Sequence, residues 1–276
     1  LRAGVGLVTI ASDDPEVSAQ LVAHRPELMV RRRGDETLLP GASALCVGPG
    51  LTRAADRLGL AELWRVEPRP AVFDASALDE VPLLEPNPHP KTELPHRRGA
   101  RVITPHPGEA ARLLTRAFPD DPWSSVRVQA HRVEAVRRLA GCTGAVVVLK
   151  GEGTLVATPA MATTGTGENT GEITGENTGE NTGEAAHVHV VVSGSAALAT
   201  AGSGDVLAGV LGALMARGVT AAVAAPIAAH VHGLAGERLE VGAAAMDVAD
   251  AVAHAMADVQ TAAGRQHSRW PTLRRG

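Results

Sequence analysis

The sequence predicts an α/β protein with a mostly parallel sheet between two layers of helices. Three observations carry that reading. Short apolar strands alternate with helical patterns through the first half of the chain. Ala145 to Leu149 is a continuous apolar run, as expected of a central strand buried on both faces. Ala201-Gly202-Ser203-Gly204-Asp205 runs straight into an apolar helical pattern at Val206, Leu207, Val210, Leu211 and Leu214. Such a loop aims backbone N–H groups and the positive end of a helix dipole at one point, where an anion can sit. Asp205 at that point is either a first-turn carboxylate that stabilises the helix or a general base beside a phosphate.

Composition sets the limits. The chain has 276 residues, enough for one large α/β domain or two small ones. Aromatic residues make up 2%, so the core must be built from Ala, Val and Leu. Lys91 and Lys150 are the only lysines, which makes the position of Lys150 informative. A net charge of −4 with no basic block argues against a nucleic-acid partner. Arg31-Arg32-Arg33 reads as a solvated face. Cys46 and Cys142 lie far apart without metal-type spacing and read as buried small residues in a reducing compartment. No run reaches the ~18 apolar residues of a membrane span, and no signal peptide is visible, so the default is a cytoplasmic protein with no membrane partner.

In chain order, Leu1-Arg2-Ala3-Gly4 reads as the capped end of a helix, followed by a strand at Leu7–Ile10. A domain rarely opens on a helix tail, which suggests an earlier strand and helix. Pro15 to His24 has helical spacing. A strand at Ala44–Val47 meets Gly48-Pro49-Gly50, which puts backbone at the strand's C-terminal edge, where open parallel sheets bind ligands. Thr52 is placed to cap a helix to about Leu63. Pro70 to Ala75 is a strand ending in the carboxylate of Asp74, and 82–98 reads as a surface loop. Arg101 to Thr104 is a strand leading through Pro105-His106-Pro107-Gly108-Glu109 into a helix, so His106 and Glu109 sit at a strand tip on a rigid turn. Val126 to Leu139 reads as one amphipathic helix. The strand at 145–149 ends in Lys150-Gly151-Glu152-Gly153-Thr154, and Thr154–Thr158 turns back antiparallel.

Residues 164–184 repeat Asn-Thr-Gly-Glu and offer nothing to bury, as expected of a disordered insertion at a hairpin tip. A calcium-binding repeat is the sharper alternative. His187 and His189 share one face of a resuming strand, solvated rather than metal-binding. Helices follow over 206–217, 221–239 and 246–259. The expected domain is 1–260, with 261–276 as a frayed tail.

Four motifs, in this order, make the chain resemble a known family: Thr104-Pro-His-Pro-Gly-Glu109, Leu149-Lys-Gly-Glu-Gly-Thr154, Gly202-Ser-Gly-Asp-Val-Leu-Ala-Gly209 and His232-Gly-Leu-Ala-Gly236. They occur in the ADP- or ATP-dependent NAD(P)H-hydrate dehydratases, which have a ribokinase-like α/β/α fold. The resemblance implies dehydration of hydrated nicotinamide cofactors, NADHX and NADPHX, with ADP or ATP as co-substrate and Mg²⁺ as cofactor, in a homo-oligomer. It implies that Asp205 activates the substrate hydroxyl and that the Gly202, Ser203 and Gly204 amides form an anion hole. Lys150, Gly151, Glu152, Gly153, Thr154 and Gly204 would hold the AMP part of the nucleotide. Gly50 and His106 would contact the hydrated nicotinamide, and Glu109 would face Mg²⁺ through water.

The chain departs from the family pattern in four places. It lacks the first strand and its glycine-rich loop. The family's Asp-Ala-Asp-Ala-Leu is Asp74-Ala-Ser76-Ala-Leu78, the glycine after Gly-Pro-Gly-Leu is Thr52, and Gly-Thr-Gly-Asp is Gly-Ser-Gly-Asp. Two other readings stay open: a ribokinase-like kinase of a small vitamin or sugar alcohol, and an inactive nucleotide-binding remnant.

Overall fold

The computed structural model describes residues 1–33, 41–84, 99–159 and 187–267. The Asn-Thr-Gly-Glu repeat at 164–184 and most of the expected 82–98 loop lie outside the described residues. A six-stranded sheet runs β3(Leu45–Val47), β4(Ala71–Phe73), β5(Arg101–Ile103), β6(Val146–Leu149), β7(Thr154–Thr158), β8(His187–Val191), in that spatial order. Strands β3 to β6 pair parallel and β6 to β8 antiparallel. A separate parallel pair, β1(Thr9–Ala11) and β2(Met29–Arg31), flanks α1(Pro15–His24).

Sequential order with right-handed crossovers sends every connecting helix to one face of the sheet. That face carries α2(Leu60–Val66), α3(Pro107–Ala117), α4(Ser125–Ala130) and α5(Arg132–Thr143). The opposite face is covered by α6(Ser203–Ala216), α7(Ala221–Glu237) and α8(Ala245–His267) from the last third of the chain. The period of two in each strand divides the core accordingly. Val72, Val102, Val146, Val148 and Val156 point to α6–α8, while Phe73, Ile103, Val147, Leu149 and Leu155 point to α2–α5. With few aromatics, Trp64 and Phe73 meet edge to face, with centroids 4.9 Å apart.

Several expectations are corrected. Leu1–Gly4 is a turn, closed by Gly4 N–H on Leu1 O at 2.8 Å, with Gly4 at the positive φ of +85° expected of a glycine cap. Strand β2 was not foreseen, because three residues carry no readable period. Thr52 caps no helix. The Asp56 carboxylate takes the Arg53 N–H and folds 54–57 into a 3-10 turn, and α2 begins behind Gly59. The single helix expected over 126–139 breaks at His131, where φ is −129° and ψ is 48°. Helix α8 continues to His267, past the expected boundary at 260, where Gln260, Ala262, Ala263, Arg265 and Gln266 keep helical propensity. Cys142 is buried as expected, but Cys46 is exposed on the edge strand β3.

Candidate active site

The parallel strands present their C-terminal ends along one edge. Behind β3, Gly48 has φ +125°, and a Cβ there would stand 1.7 Å from Asp74 O. Only glycine lets the two strand ends approach this closely. Ser76 Oγ stands 3.0 Å from Gly48 O and 2.6 Å from Leu51 O, so its hydroxyl proton ties the Gly-Pro-Gly turn to the end of β4. The serine in place of the family's second Asp therefore fastens backbone. Behind β5, His106 caps α3. Its Nδ1 accepts from Gly108 N–H at 3.0 Å and Glu109 N–H at 3.4 Å, while Glu109 Oε2 accepts from His106 N–H at 2.8 Å. This reciprocal box fixes both side chains.

Lys150 at the end of β6 turns inward. Its Nζ lies 2.9 Å from Asp74 Oδ1 and 3.8 Å from Glu109 Oε2. Asp74 is 1% exposed. The loop after Lys150 is clamped by Arg132, whose guanidinium donates to Leu149 O at 3.2 Å and Gly153 O at 3.3 Å. The break at His131 begins α5 at Arg132, the residue that reaches these carbonyls.

Helix α6 starts behind Gly202 at φ +85°, a residue with no side chain to cap it. The N–H groups of Gly202 and Gly204 meet no acceptor among the described residues. Ser203 N–H instead meets Thr200 O at 3.3 Å, and Ser203 Oγ donates to Leu198 O at 2.7 Å. Two of the three amides expected in the anion hole are therefore open, and the serine hydroxyl faces away. Asp205 is exposed in the first turn. Partial burial and the Asp74 charge raise its pKa above the ordinary carboxylate range, and Lys150 partly offsets them. Were Asp205 the general base, only its ionised form could abstract a proton, and turnover would fall on acidification at a pH above that of a free aspartate. A kcat/KM profile whose acid limb sits at the ordinary aspartate value would contradict this.

The His232-Gly-Leu-Ala-Gly236 motif explains itself by contact. A Cβ on Gly233 would stand 2.5 Å from Ser193 O, and one on Gly236 would stand 2.4 Å from Leu198 Cγ. Helix α7 thus packs directly against the segment entering α6. His232 Nε2 donates to Ser203 O at 2.9 Å. Burial, with a smaller push from Lys150, lowers its pKa to about 4 from 6.5. The folded state resists a proton that the unfolded chain accepts. Stability is therefore full above pH 6.5 and declines as pH falls towards about 4. The loss is about 3–4 kcal/mol at ~1.4 kcal/mol per pH unit. Urea unfolding of His232→Gln across that window should show a flatter pH dependence than the parent.

The sequence-based candidates thus divide. Lys150, Glu109, Gly204 and Asp205 converge at the strand edge. Gly50 and Glu152 are exposed on the same edge, and Lys150–Gly153 form the turn between β6 and β7, with Thr154 at the start of β7 donating Oγ1–H to Gly151 O at 3.1 Å. Asp74, Ser76, Arg132 and His232 were not among the candidates. Asp74 was visible as a strand-end carboxylate, whereas no local pattern signals a partner 76 residues away.

A six-stranded sheet between two helical layers, with an open helix N-terminus facing the ends of parallel strands, defines a ribokinase-like protein. Solved structures agree. An ADP/ATP-dependent NAD(P)H-hydrate dehydratase from Bacillus subtilis, co-crystallized with ATP/Mg²⁺, superimposes with a TM-score of 0.65 at 22% identity, covering 93% of this chain and 80% of that one. A ribokinase-like superfamily protein from Enterococcus faecalis gives 0.63 at 22% identity, covering 93% and 78%. The family model for NAD(P)H-hydrate dehydratase matches residues 1–183 and 181–257, and the chain belongs to that family. The ADP-dependent (S)-NAD(P)H-hydrate dehydratase of Neisseria meningitidis is 33% identical over 247 residues, 87% of this chain and 70% of the relative. The bifunctional NAD(P)H-hydrate repair enzyme Nnr of Escherichia coli is 34% identical over 244 residues; there the matched region is 87% of this chain but 39% of the relative.

Proposed function

We propose that this chain dehydrates the S form of NADHX and NADPHX, the 6-hydroxylated hydrates of NADH and NADPH, using ADP or ATP. The observation that carries this reading is the carboxylate of Asp205 in the same helical turn as the open Gly202 and Gly204 amides, with the Lys150 ammonium beside Gly204. Hydroxide leaves poorly, and a phosphorylated hydroxyl leaves as phosphate. Asp205 takes the proton of the substrate hydroxyl as its oxygen attacks the terminal phosphorus of the nucleotide. The open amides and the ammonium hold the transferring phosphoryl group. Loss of phosphate and of a proton from the neighbouring ring carbon restores NAD(P)H, with AMP or ADP as the other product.

The site suits Mg²⁺. One ammonium stands against the carboxylates of Asp74, Glu109 and Asp205, which leaves negative charge for a divalent cation to balance. Such an ion, bound with a nucleotide, takes most of its ligands from phosphates and water. Glu109 would face it through water. Bound there, it would neutralise charge on the phosphate oxygens. His106 and Gly50, exposed on the same edge, would contact the hydrated nicotinamide, and the Lys150–Thr154 turn would hold the AMP part. By the same family resemblance the protein is read as a homo-oligomer, and by default as cytoplasmic.

The test is turnover of hydrated NADH with Mg²⁺ and ADP, then ATP, followed by NADH absorbance and phosphate release. A rise with either nucleotide, matched by phosphate, is the expected result. A stable phosphoester product would assign a kinase, and nucleotide binding without turnover would assign a remnant.

A further inference from the structure

Asp74 has entered so far only through its negative charge, yet it is among the most enclosed charged groups of the described residues, at 1% exposure. Its backbone is immobilised on both sides. Asp74 N–H donates to Val47 O at 3.0 Å, and Asp74 O packs into the space left by the missing Cβ of Gly48. Its carboxylate holds Lys150 Nζ at 2.9 Å. That ammonium lies 3.1 Å from the point where a Cβ of Gly204 would stand. Glycine at 204 therefore makes room for a cation at the N-terminus of α6. The placement is unfavourable by itself, because a helix N-terminus carries partial positive charge and repels an ammonium. A lysine stem is flexible and would carry its head group to water if nothing held it. Backbone anchoring brings the stem to the site, with Lys150 N–H on Pro105 O at 2.9 Å, but does not direct its end.

We propose that Asp74 is a positioning residue that fixes the Lys150 ammonium beside the open Gly202 and Gly204 amides, so that side chain and backbone together form the subsite for the transferred phosphoryl group. The proposal rests on the functional reading above and deepens it. Asp74 occupies one of the three N–H donors of the ammonium and leaves the others for phosphate oxygens. Asp74 itself touches neither substrate nor nucleotide. Lys150 thus serves the phosphate end of the nucleotide through its side chain, while the turn that follows it presents backbone.

The test is a double-mutant cycle on the full chain with Asp74→Asn, Lys150→Met and the pair, read by kcat and by calorimetric binding of ADP. Asp74→Asn should lower kcat by about 100-fold with KM for the hydrated cofactor within about twofold, and should weaken ADP about tenfold. The pair should be no worse than Lys150→Met alone, within about threefold, because Asp74 acts through Lys150. Asp74→Glu keeps the charge but shifts the ammonium by about one methylene. It should lose at least about tenfold in kcat in the parent background and nothing further in Lys150→Met, and it decides the matter should Asp74→Asn fail to fold. Asp74 variants that keep parental kcat and ADP affinity, or losses that multiply independently in the pair, overturn the proposal. A parent chain that binds ADP but turns over no hydrated cofactor overturns the functional reading alone, and the ADP-binding cycle still decides this one. A parent that binds no ADP overturns both.

Discussion

Asp205→Asn should lower turnover of hydrated NADH about 10³-fold while leaving the fold intact. Asparagine keeps the size and the position of the side chain in the first turn of α6 but cannot accept the hydroxyl proton, and loss of a positioned base costs ~10²–10⁴-fold. The helix loses a favourable first-turn charge worth about 0.5 kcal/mol, too little to unfold the domain. Asp205 stands in the same turn as the proposed phosphate subsite, so removing its charge should leave ADP binding equal or tighter. Loss of kcat with preserved ADP affinity separates a base from a nucleotide ligand. A variant retaining a tenth of parental turnover would remove Asp205 from that role.

Gly48→Ala should be the most damaging of the Gly→Ala substitutions among the described residues. The added Cβ would meet Asp74 O at 1.7 Å, Asp74 C at 2.8 Å and Ala77 Cβ at 2.9 Å, at φ +125°. Two of those three atoms are backbone of an adjacent strand end and cannot swing aside. We expect a loss of roughly 3–5 kcal/mol in urea unfolding, the range of severe packing and backbone violations. The variant must also displace Asp74, so residual folded protein should be poorly active. Gly50→Ala is the control. It shares a positive φ of +78° but finds nothing within 4 Å, so its cost should stay near 1–2 kcal/mol. Equal effects of the two substitutions would mean that close approach at Gly48 is unimportant.

The legible parts of the fold were those with long-lived local signals. Strands β4, β5 and β6 announced themselves because both faces are covered and, Arg101 apart, every residue is apolar. The glycine-rich entry to α6 and the Pro-His-Pro-Gly-Glu turn were legible for the same reason, since their chemistry is local. Strand β2 was too short to show a period, and the one-residue break at His131 does not disturb helical spacing. Thr52 had a capping side chain, but the competing Asp56 turn decided the path. In the site, Asp205 and Lys150 could be found from the sequence. The pairing of Lys150 with Asp74 and of His232 with Ser203 O could not, because each depends on strands or helices brought together by tertiary packing.

Sequential strand order also bears on how the protein is made. Residues 45–149 supply the four parallel strands and the helices of one layer, while the valines at 72, 102, 146 and 148 on the reverse face wait for α6–α8. At ribosomal speeds of ~5–20 residues per second, the stretch from Leu149 to His267 takes on the order of ten seconds to synthesise. During that interval a nascent chain carries an uncovered valine-rich sheet, a surface suited to chaperone capture and prone to aggregation. Translation pauses placed after β6 should therefore lower the soluble yield, whereas pauses placed after α8 should not.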